Sequence, residues 1–286
     1  MPNFRLTLAY DGTGYRGWQA QPGGGSIQQC LAAAVQAVTG ESAVVHGSGR
    51  TDAGVHALGQ VAHVHLRTRL PAVNLQKALN ARLPPAIRVL GAAEAAAAFH
   101  ARRDALAKTY RYRWYRGPVC PPFLYRYVHH YPYPLDEAAM AAAAGCFLGR
   151  HDFTSLAAAG GDRRAERAAD GSLGAASEAG DDGLAPAPAP GAERLAPRGP
   201  RGAIREIFAC TITRDDAELV LEVTGGGFLR HMVRNLAGLL MDIGRRRRQP
   251  GEIPGILAAC DRRSAGPMAP AKGLCLVAVS YPDENR

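Results

Sequence analysis

The chain has 286 residues, and its 34 lysines and arginines outnumber its 25 aspartates and glutamates, which gives a formal net charge of +9. Because 47% of the residues are hydrophobic, a fully disordered chain is excluded, since such chains lack the apolar side chains that offset the entropy of ordering. No stretch has the roughly 20 uninterrupted apolar residues of a membrane helix, and no secretory signal is visible, so we expect a cytoplasmic protein of one or two domains.

The first predicted elements lie in residues 1–106. Hydrophobic alternation predicts a strand over Phe4–Tyr10, and Ser26 with Gln29 forms a capping box that predicts the start of a helix ending at Gly40. Further strands are predicted near residues 43–46, 60–66 and 87–90, and a second helix near residues 73–83.

The elements predicted in residues 107–286 resemble those of the first group. Strands are predicted near residues 109–115, 204–213, 219–224 and 274–281, and helices near residues 135–148, 228–243 and 253–260. Strands interleaved with helices in both groups indicate an α+β fold with two similar halves, residues 1–106 and 107–286, and mainly antiparallel sheets. The identity between the halves is too low to establish a duplication.

Residues 158–202 differ in composition from the rest of the chain. They consist largely of Ala, Gly and Pro with scattered charges, so we predict a disordered insertion in the second half. The segment holds six arginines and seven acidic residues, a sum of −1, which leaves +10 for the rest of the chain.

Only three of the 34 basic residues are lysines, Lys77, Lys108 and Lys272. Arginine-rich surfaces suit phosphate groups, so we expect a polyanionic partner.

The densest polar cluster is GSGRTDAGVHA, residues 47–57. Its glycines allow close backbone approaches, and Arg50 and Asp52 lie two positions apart between two predicted strands. The same residue types are ordinary in a surface turn capped by Asp52. The segment lacks the spacing and the lysine of a phosphate-binding loop. It also lacks the G-x-S-x-G motif of the nucleophile elbow, which would make Ser48 a nucleophile.

A metal site built from Asp52, His56, His63 and His65 is an alternative use of this region. His63 and His65 would share one face of a strand, but no ligand signature such as H-E-x-x-H accompanies them. We therefore expect no metal.

Two further segments could contribute to an RNA-binding surface. In residues 108–116, aromatic residues alternate with Arg111 and Arg113, a pattern that suits base stacking and phosphate binding but also an amphipathic strand with its aromatics in the core. In the helix predicted over residues 228–243, Arg230 and Arg234 would share one face. An arginine buried there requires a partner, and we hypothesise that Arg234 pairs with Asp52.

Six blocks of the sequence resemble the tRNA pseudouridine synthase A family, in the same order. They are YDGTGYRGWQ-Q (10–21), GRTDAGVHA (49–57), FHARRDALAKTYRY (99–112), HDFTS (151–155), GGFLRHMVRNLAG (226–238) and KGLCLVAVSYP (272–282). The resemblance implies the pseudouridine synthase fold, with a central basic cleft between the two halves, a homodimer, and no metal or cofactor. It also implies isomerisation of uridines 38, 39 and 40 in the anticodon stem-loop of tRNA.

The resemblance also implies roles for individual residues. Asp52 matches the nucleophilic aspartate, Tyr110 the tyrosine that lies against the target base, Arg234 the partner of the aspartate, and Arg50 the arginine that displaces the base. We take Arg111, Arg113, Arg230 and His231 as further candidates for substrate binding. The sequence does not decide whether the aspartate attacks C1′ of the ribose or C6 of the uracil, or which group accepts the C5 proton. The rival interpretation of the chain is a catalytically inert RNA-binding module.

The chain departs from the family in the segment between HDFTS and the next strand. Family members have a compact segment there that contacts tRNA, whereas this chain has the insertion at residues 158–202. Arg205-Glu206-Ile207 preserves only the end of the family's motif, so RNA contacts before that point are not carried over.

Overall fold

The computed structural model describes residues 1–158 and 202–282. Nearly all of the predicted insertion at residues 158–202 therefore lies outside the described residues. The strands are β1 (Asn3–Tyr10), β2 (His46–Gly47), β3 (His56–His65), β4 (Ile87–Ala95), β5 (Ala107–Tyr115), β6 (His129–His130), β7 (Gly149–Asp152), β8 (Ile204–Asp215), β9 (Glu218–Gly225) and β10 (Leu274–Ser280). The α-helices are α1 (Ile27–Thr39), α2 (Ala72–Arg82), α3 (Glu137–Gly145), α4 (Met232–Gly244) and α5 (Ile253–Ala258).

The described strands form one sheet in the order β4-β1-β3-β10-β5-β9-β8-β7, with β2 beside β3 and β6 beside β5. The β10–β3 and β5–β6 pairs are parallel and the other pairs are antiparallel. The predicted α+β class with mainly antiparallel pairing is confirmed. The halves meet at the β3–β10 pair, so the sheet runs across the predicted boundary at residues 106 and 107, and the division into two domains stays a prediction.

The start of α1 follows the sequence signal. The Ser26 side chain accepts a hydrogen bond from the Gln29 amide (3.3 Å), and the Gln29 side chain accepts one from the Ser26 amide (3.4 Å). Ile27, Leu31 and Val35 are fully buried on one face of the helix, in a hydrophobic cluster that continues into the second half of the chain. The predicted capping box and helix are confirmed.

Several predicted boundaries differ from the observed ones, among them those of the strand near residues 43–46 and of the helix predicted from Phe228. In the strand predicted over residues 43–46, only His46 has β structure. The helix predicted from Phe228 begins at Met232, because His231 has a left-handed backbone with φ of 65° that α-helical geometry does not accommodate. Arg230 thus lies before the helix, and the prediction that Arg230 and Arg234 share a helical face is wrong.

The central strand β5 has one buried face and one charged face. Tyr110, Tyr112 and Trp114 are buried. Arg111 and Arg113 point to the other face, where they pair with Glu222 (2.8 Å) and Glu218 (2.5 Å) of β9. The amphipathic-strand interpretation of this segment is confirmed. Within the described residues, no helix has the length and apolar character needed to cross a membrane.

Candidate active site

The loop that connects β2 to β3 carries Asp52 and is held firmly from one side. The Trp18 amide donates a hydrogen bond to the Thr51 carbonyl (3.0 Å), and the Tyr10 hydroxyl lies 2.8 Å from the Thr51 hydroxyl in a buried contact. Gly17 packs so closely that a Cβ there would lie 2.5 Å from the Thr51 carbonyl oxygen. The segment after β1 therefore fixes the backbone immediately before Asp52.

The beginning of the same loop is held by β3. Ser48 is fully buried, its amide donates to the Val61 carbonyl (2.7 Å), and its hydroxyl donates to Gln60 Oε1 (2.6 Å). The Gln60 side chain in turn donates to the Gly49 carbonyl (3.1 Å). Both ends of the short segment that carries Arg50 and Asp52 are thus anchored.

The Asp52 carboxylate contacts basic side chains through both of its oxygens. Arg234 of α4 donates from Nη1 to Asp52 Oδ2 (3.2 Å), and His231 Nε2 lies 3.7 Å from Oδ1. A second hydrogen bond, from Arg234 Nε to the Ala269 carbonyl (2.9 Å), fixes the guanidinium. The Asp52 side chain is 22% exposed and that of Arg234 is 12% exposed, so a substrate can reach the carboxylate while its arginine partner stays within the fold. The hypothesised pair of Asp52 and Arg234 is confirmed.

Tyr110 lies on the buried face of β5, and the ring of Phe228 packs edge-on against it with centroids 5.1 Å apart. Burial above all, and then the neighbouring Tyr10 and Asp52, raise the pKa of Tyr110 above its ordinary value. The phenol is therefore neutral at pH 7. In the free protein it is suited to stacking and to donating a hydrogen bond rather than to accepting a proton.

The other predicted binding residues fall into two groups. Arg50 is exposed on the Asp52 loop, two residues from the carboxylate, and Arg230 is exposed just before His231. Arg111 and Arg113, by contrast, lie on the face of β5 opposite Tyr110 and pair with glutamates. The structure thus places His231 against Asp52 and Arg50 on the same loop, whereas Arg111 and Arg113 lie on the other face of the sheet.

Three of the four residues of the metal alternative have hydrogen-bond partners outside that set, and the fourth, His65, lies edge-on to His63 with ring centroids 5.7 Å apart. Asp52 contacts Arg234, and His56 accepts a hydrogen bond at Nδ1 from the Gly12 amide (3.1 Å). His63 accepts one from the Ala101 amide (3.1 Å) and stacks on His46 with ring centroids 4.9 Å apart. In the part of the chain that the structure describes, no three His, Cys, Asp or Glu side chains are placed to hold a metal ion. The four candidates therefore do not form one site.

The sequence pattern did not predict a role at the site for several residues around Asp52. Phe228 was assigned only to a helix, although it forms one wall beside Tyr110, and Tyr10 was assigned only to a strand face. Lys108 was included in the segment 108–116 considered for RNA binding, but no role of its own was predicted for it. Its position two residues before Tyr110, on the same face of a strand, is the signal that could have found it.

A family model described as tRNA pseudouridine synthase matches residues 7–103 and 196–282, more than half of the chain. The chain is 44% identical over 281 residues to tRNA pseudouridine synthase A of Solibacter usitatus, which covers 98% of this chain and 100% of that protein. The protein of the same name from Moorella thermoacetica is 41% identical over 283 residues with the same coverage. That from Brevibacillus brevis is 37% identical over 281 residues, also with 98% and 100% covered. The matched ranges contain Asp52 and Arg234.

Proposed function

The chain belongs to the tRNA pseudouridine synthase family, which isomerises uridine to pseudouridine in tRNA, and we propose that Asp52 is the nucleophile of this reaction. The observation that carries the proposal is the partly exposed Asp52 carboxylate, held by Arg234 at 3.2 Å in a loop anchored at both ends. A fixed carboxylate beside a buried aromatic ring is what an attack on a bound nucleotide requires.

The reaction balances without a cofactor or an outside donor. The N1–C1′ bond of uridine breaks, the uracil turns, a C5–C1′ bond forms, and the hydrogen lost from C5 is matched by one gained at N1. The Asp52 carboxylate forms a transient bond to C1′ or to C6 and is released unchanged. The neutral Tyr110 phenol favours a stacking role for that ring, which leaves Asp52 or water as the acceptor of the C5 proton.

The target base must leave its stack before it can reach Asp52. Extrusion of a base costs a few kcal/mol, and Arg50, exposed on the same loop, offsets this cost by filling the vacated space. Tyr110 then stacks on the extruded uracil. His231 Nε2 lies 3.7 Å from Asp52 Oδ1, and Arg230 is exposed immediately before it in the chain. These two side chains contact the nucleotide's polar groups or phosphates.

The family resemblance extends the proposal to the substrate and the assembly. The targets are uridines 38, 39 and 40 of the anticodon stem-loop, and the enzyme is a cytoplasmic homodimer that needs neither metal nor cofactor. A formal charge of +9 supports a polyanionic substrate, because basic residues attract RNA phosphates at long range. Recognition through A-form shape suits an enzyme that acts at neighbouring positions.

Tritium release from tRNA that carries uridine labelled at C5 tests the proposal. The wild-type protein releases tritium, whereas Asp52→Asn, which removes the charge and keeps the shape, releases none above background. Asp216→Asn, in the turn between β8 and β9, is the matched control and retains activity. Wild-type rates in Asp52→Asn contradict the assignment of Asp52, and an inert RNA-binding module binds tRNA without any release. Mass-spectrometric mapping of the product tests positions 38, 39 and 40.

A further inference from the structure

Lys108 is a titratable group that the proposed reaction does not use. It stands in β5 opposite Gly225 of β9 and Val279 of β10, two residues before Tyr110. Alternation along the strand places it on the same face as Tyr110. It is therefore on the side of the sheet that carries Asp52.

The Lys108 ammonium group supports the Asp52 loop directly. Its Nζ donates a hydrogen bond to the Ser48 carbonyl (2.7 Å), and a Cβ on Gly49 would lie 3.2 Å from Nζ. With the bonds from Ser48 to Val61 and Gln60, the amide, the hydroxyl and the carbonyl of Ser48 all have partners. The peptide that leads into Arg50 is thus fixed in position and orientation.

A positive charge at this position is energetically unfavourable. Burial, followed by the charges of Arg102 and Arg205, lowers the pKa of Lys108 to about 8. An apolar residue would avoid this penalty, but it would leave the buried Ser48 carbonyl without its donor. Strained or costly groups of this kind cluster at functional sites.

We propose that Lys108 is a positioning residue, which fixes the Ser48–Gly49 peptide and thereby aims Arg50 and Asp52 at the extruded uridine. The inference rests on the proposed function. Lys108 is not required to touch the substrate; it acts through the loop. A displacement of reacting groups by about 1 Å can lower a rate roughly 100-fold, so loss of this one anchor affects the reaction more than it affects tRNA binding.

The experiment compares Lys108→Met, which removes the donor, with Lys108→Arg, which keeps one. Lys77→Met, at an exposed position of α2, is the matched control. Single-turnover tritium release gives the rate constant, and tRNA titration gives Kd. The fluorescence of 2-aminopurine placed beside the target uridine reports extrusion of the base. Thermal melts report the folded fraction, and Lys108→Leu, which also lacks a donor, replaces Lys108→Met if the latter does not fold.

We expect Lys108→Met to lower the rate constant by roughly 10- to 100-fold and to weaken the 2-aminopurine signal, with Kd within about threefold of the wild-type value. Lys108→Arg recovers most of the rate. The inference is overturned by a wild-type rate in Lys108→Met, by a loss confined to Kd, or by failure of Lys108→Arg to recover. An inactive wild-type protein instead overturns the proposed function itself, and the inference with it.

Discussion

The hydroxyl of Tyr10 lies 2.8 Å from the hydroxyl of Thr51, so the last residue of β1 is tied to the residue that precedes Asp52. Both residues are buried, and the contact joins two blocks of sequence that are 41 residues apart. A local pattern in either block gives no indication of this contact.

Removal of the Tyr10 hydroxyl should therefore destabilise the protein. For Tyr10→Phe we expect the free energy of unfolding to fall by about 1 kcal/mol, because the buried Thr51 hydroxyl loses its partner. Urea denaturation measures the change. Adding Thr51→Val should recover part of the loss, since two apolar groups then face each other. A double variant as unstable as the sum of the two single variants would contradict a direct bond.

The close approach of Gly17 to the Asp52 loop predicts the effect of a single methyl group. Gly17 has φ of 84°, and an added Cβ would lie 2.5 Å from the Thr51 carbonyl oxygen. Gly14 has nearly the same φ, 81°, with no atom within 4 Å of such a Cβ. We expect Gly14→Ala to cost about 1–2 kcal/mol through its backbone angle and Gly17→Ala to cost more and to lower the isomerisation rate. Equal losses in the two variants would contradict the contact.

The contact between Arg234 and Asp52 predicts a loss of activity without a loss of RNA binding. Arg234→Met leaves a partly buried carboxylate without its arginine, so we expect single-turnover tritium release to fall at least roughly 100-fold, since electrostatic partners of this kind contribute several kcal/mol to a transition state. Arg263→Met removes a charge that is 91% exposed and serves as the control. A Kd for tRNA that rises in parallel with the loss of rate would assign Arg234 to binding instead.

We expect the face of β5 opposite Tyr110 to take no part in the reaction. Arg113 pairs with Glu218 on the face opposite Tyr110, so we expect Arg113→Met to leave the rate constant of tritium release unchanged. The Glu218 side chain is only 13% exposed, so loss of Arg113 leaves a largely buried carboxylate without its partner. We therefore expect the melting temperature to fall while the rate constant of the folded enzyme stays the same. A large loss of rate would restore Arg113 to the substrate-binding surface predicted from the sequence.

The buried His63 makes stability depend on pH. Burial, followed by the charges of His100, His46, His65 and Arg103, lowers the pKa of His63 from 6.5 to about 4. The unfolded chain thus binds a proton at a higher pH than the folded one, so the contribution is present above pH 6.5 and is lost as the pH falls to about 4. The difference corresponds to about 3 kcal/mol. Urea denaturation between pH 7 and 4 should give a shallower pH dependence for His63→Gln than for the wild type, and an equal pH dependence in the two proteins would contradict the assignment.

The elements that the sequence predicted correctly are those with strong local signals. The Ser26 capping box and the alternation in β5 are set by neighbours in the chain, and both have the predicted structure. The pair of Asp52 and Arg234 could be predicted because a buried arginine needs a carboxylate. The start of α4 could not, because the sequence pattern of Phe228 and Leu229 continues that of the helix and gives no sign of the left-handed backbone at His231. The roles of Lys108 and Tyr10 could not be predicted because their partners are distant in sequence.

The parallel pairing of β10 with β3 has a consequence for the order of assembly during synthesis. Cys275 and Leu276 lie beside His56 and Ala57, and the other edge of β10 pairs with β5. During synthesis on the ribosome, β3 and β5 are translated long before β10. The edges of β3 and β5 that pair with β10 in the folded protein are therefore unpaired until β10 emerges. Contacts that close so large a loop form slowly, and exposed edges invite wrong pairing. We therefore expect the sheet beneath the Asp52 loop to be completed late, after translation of residue 280.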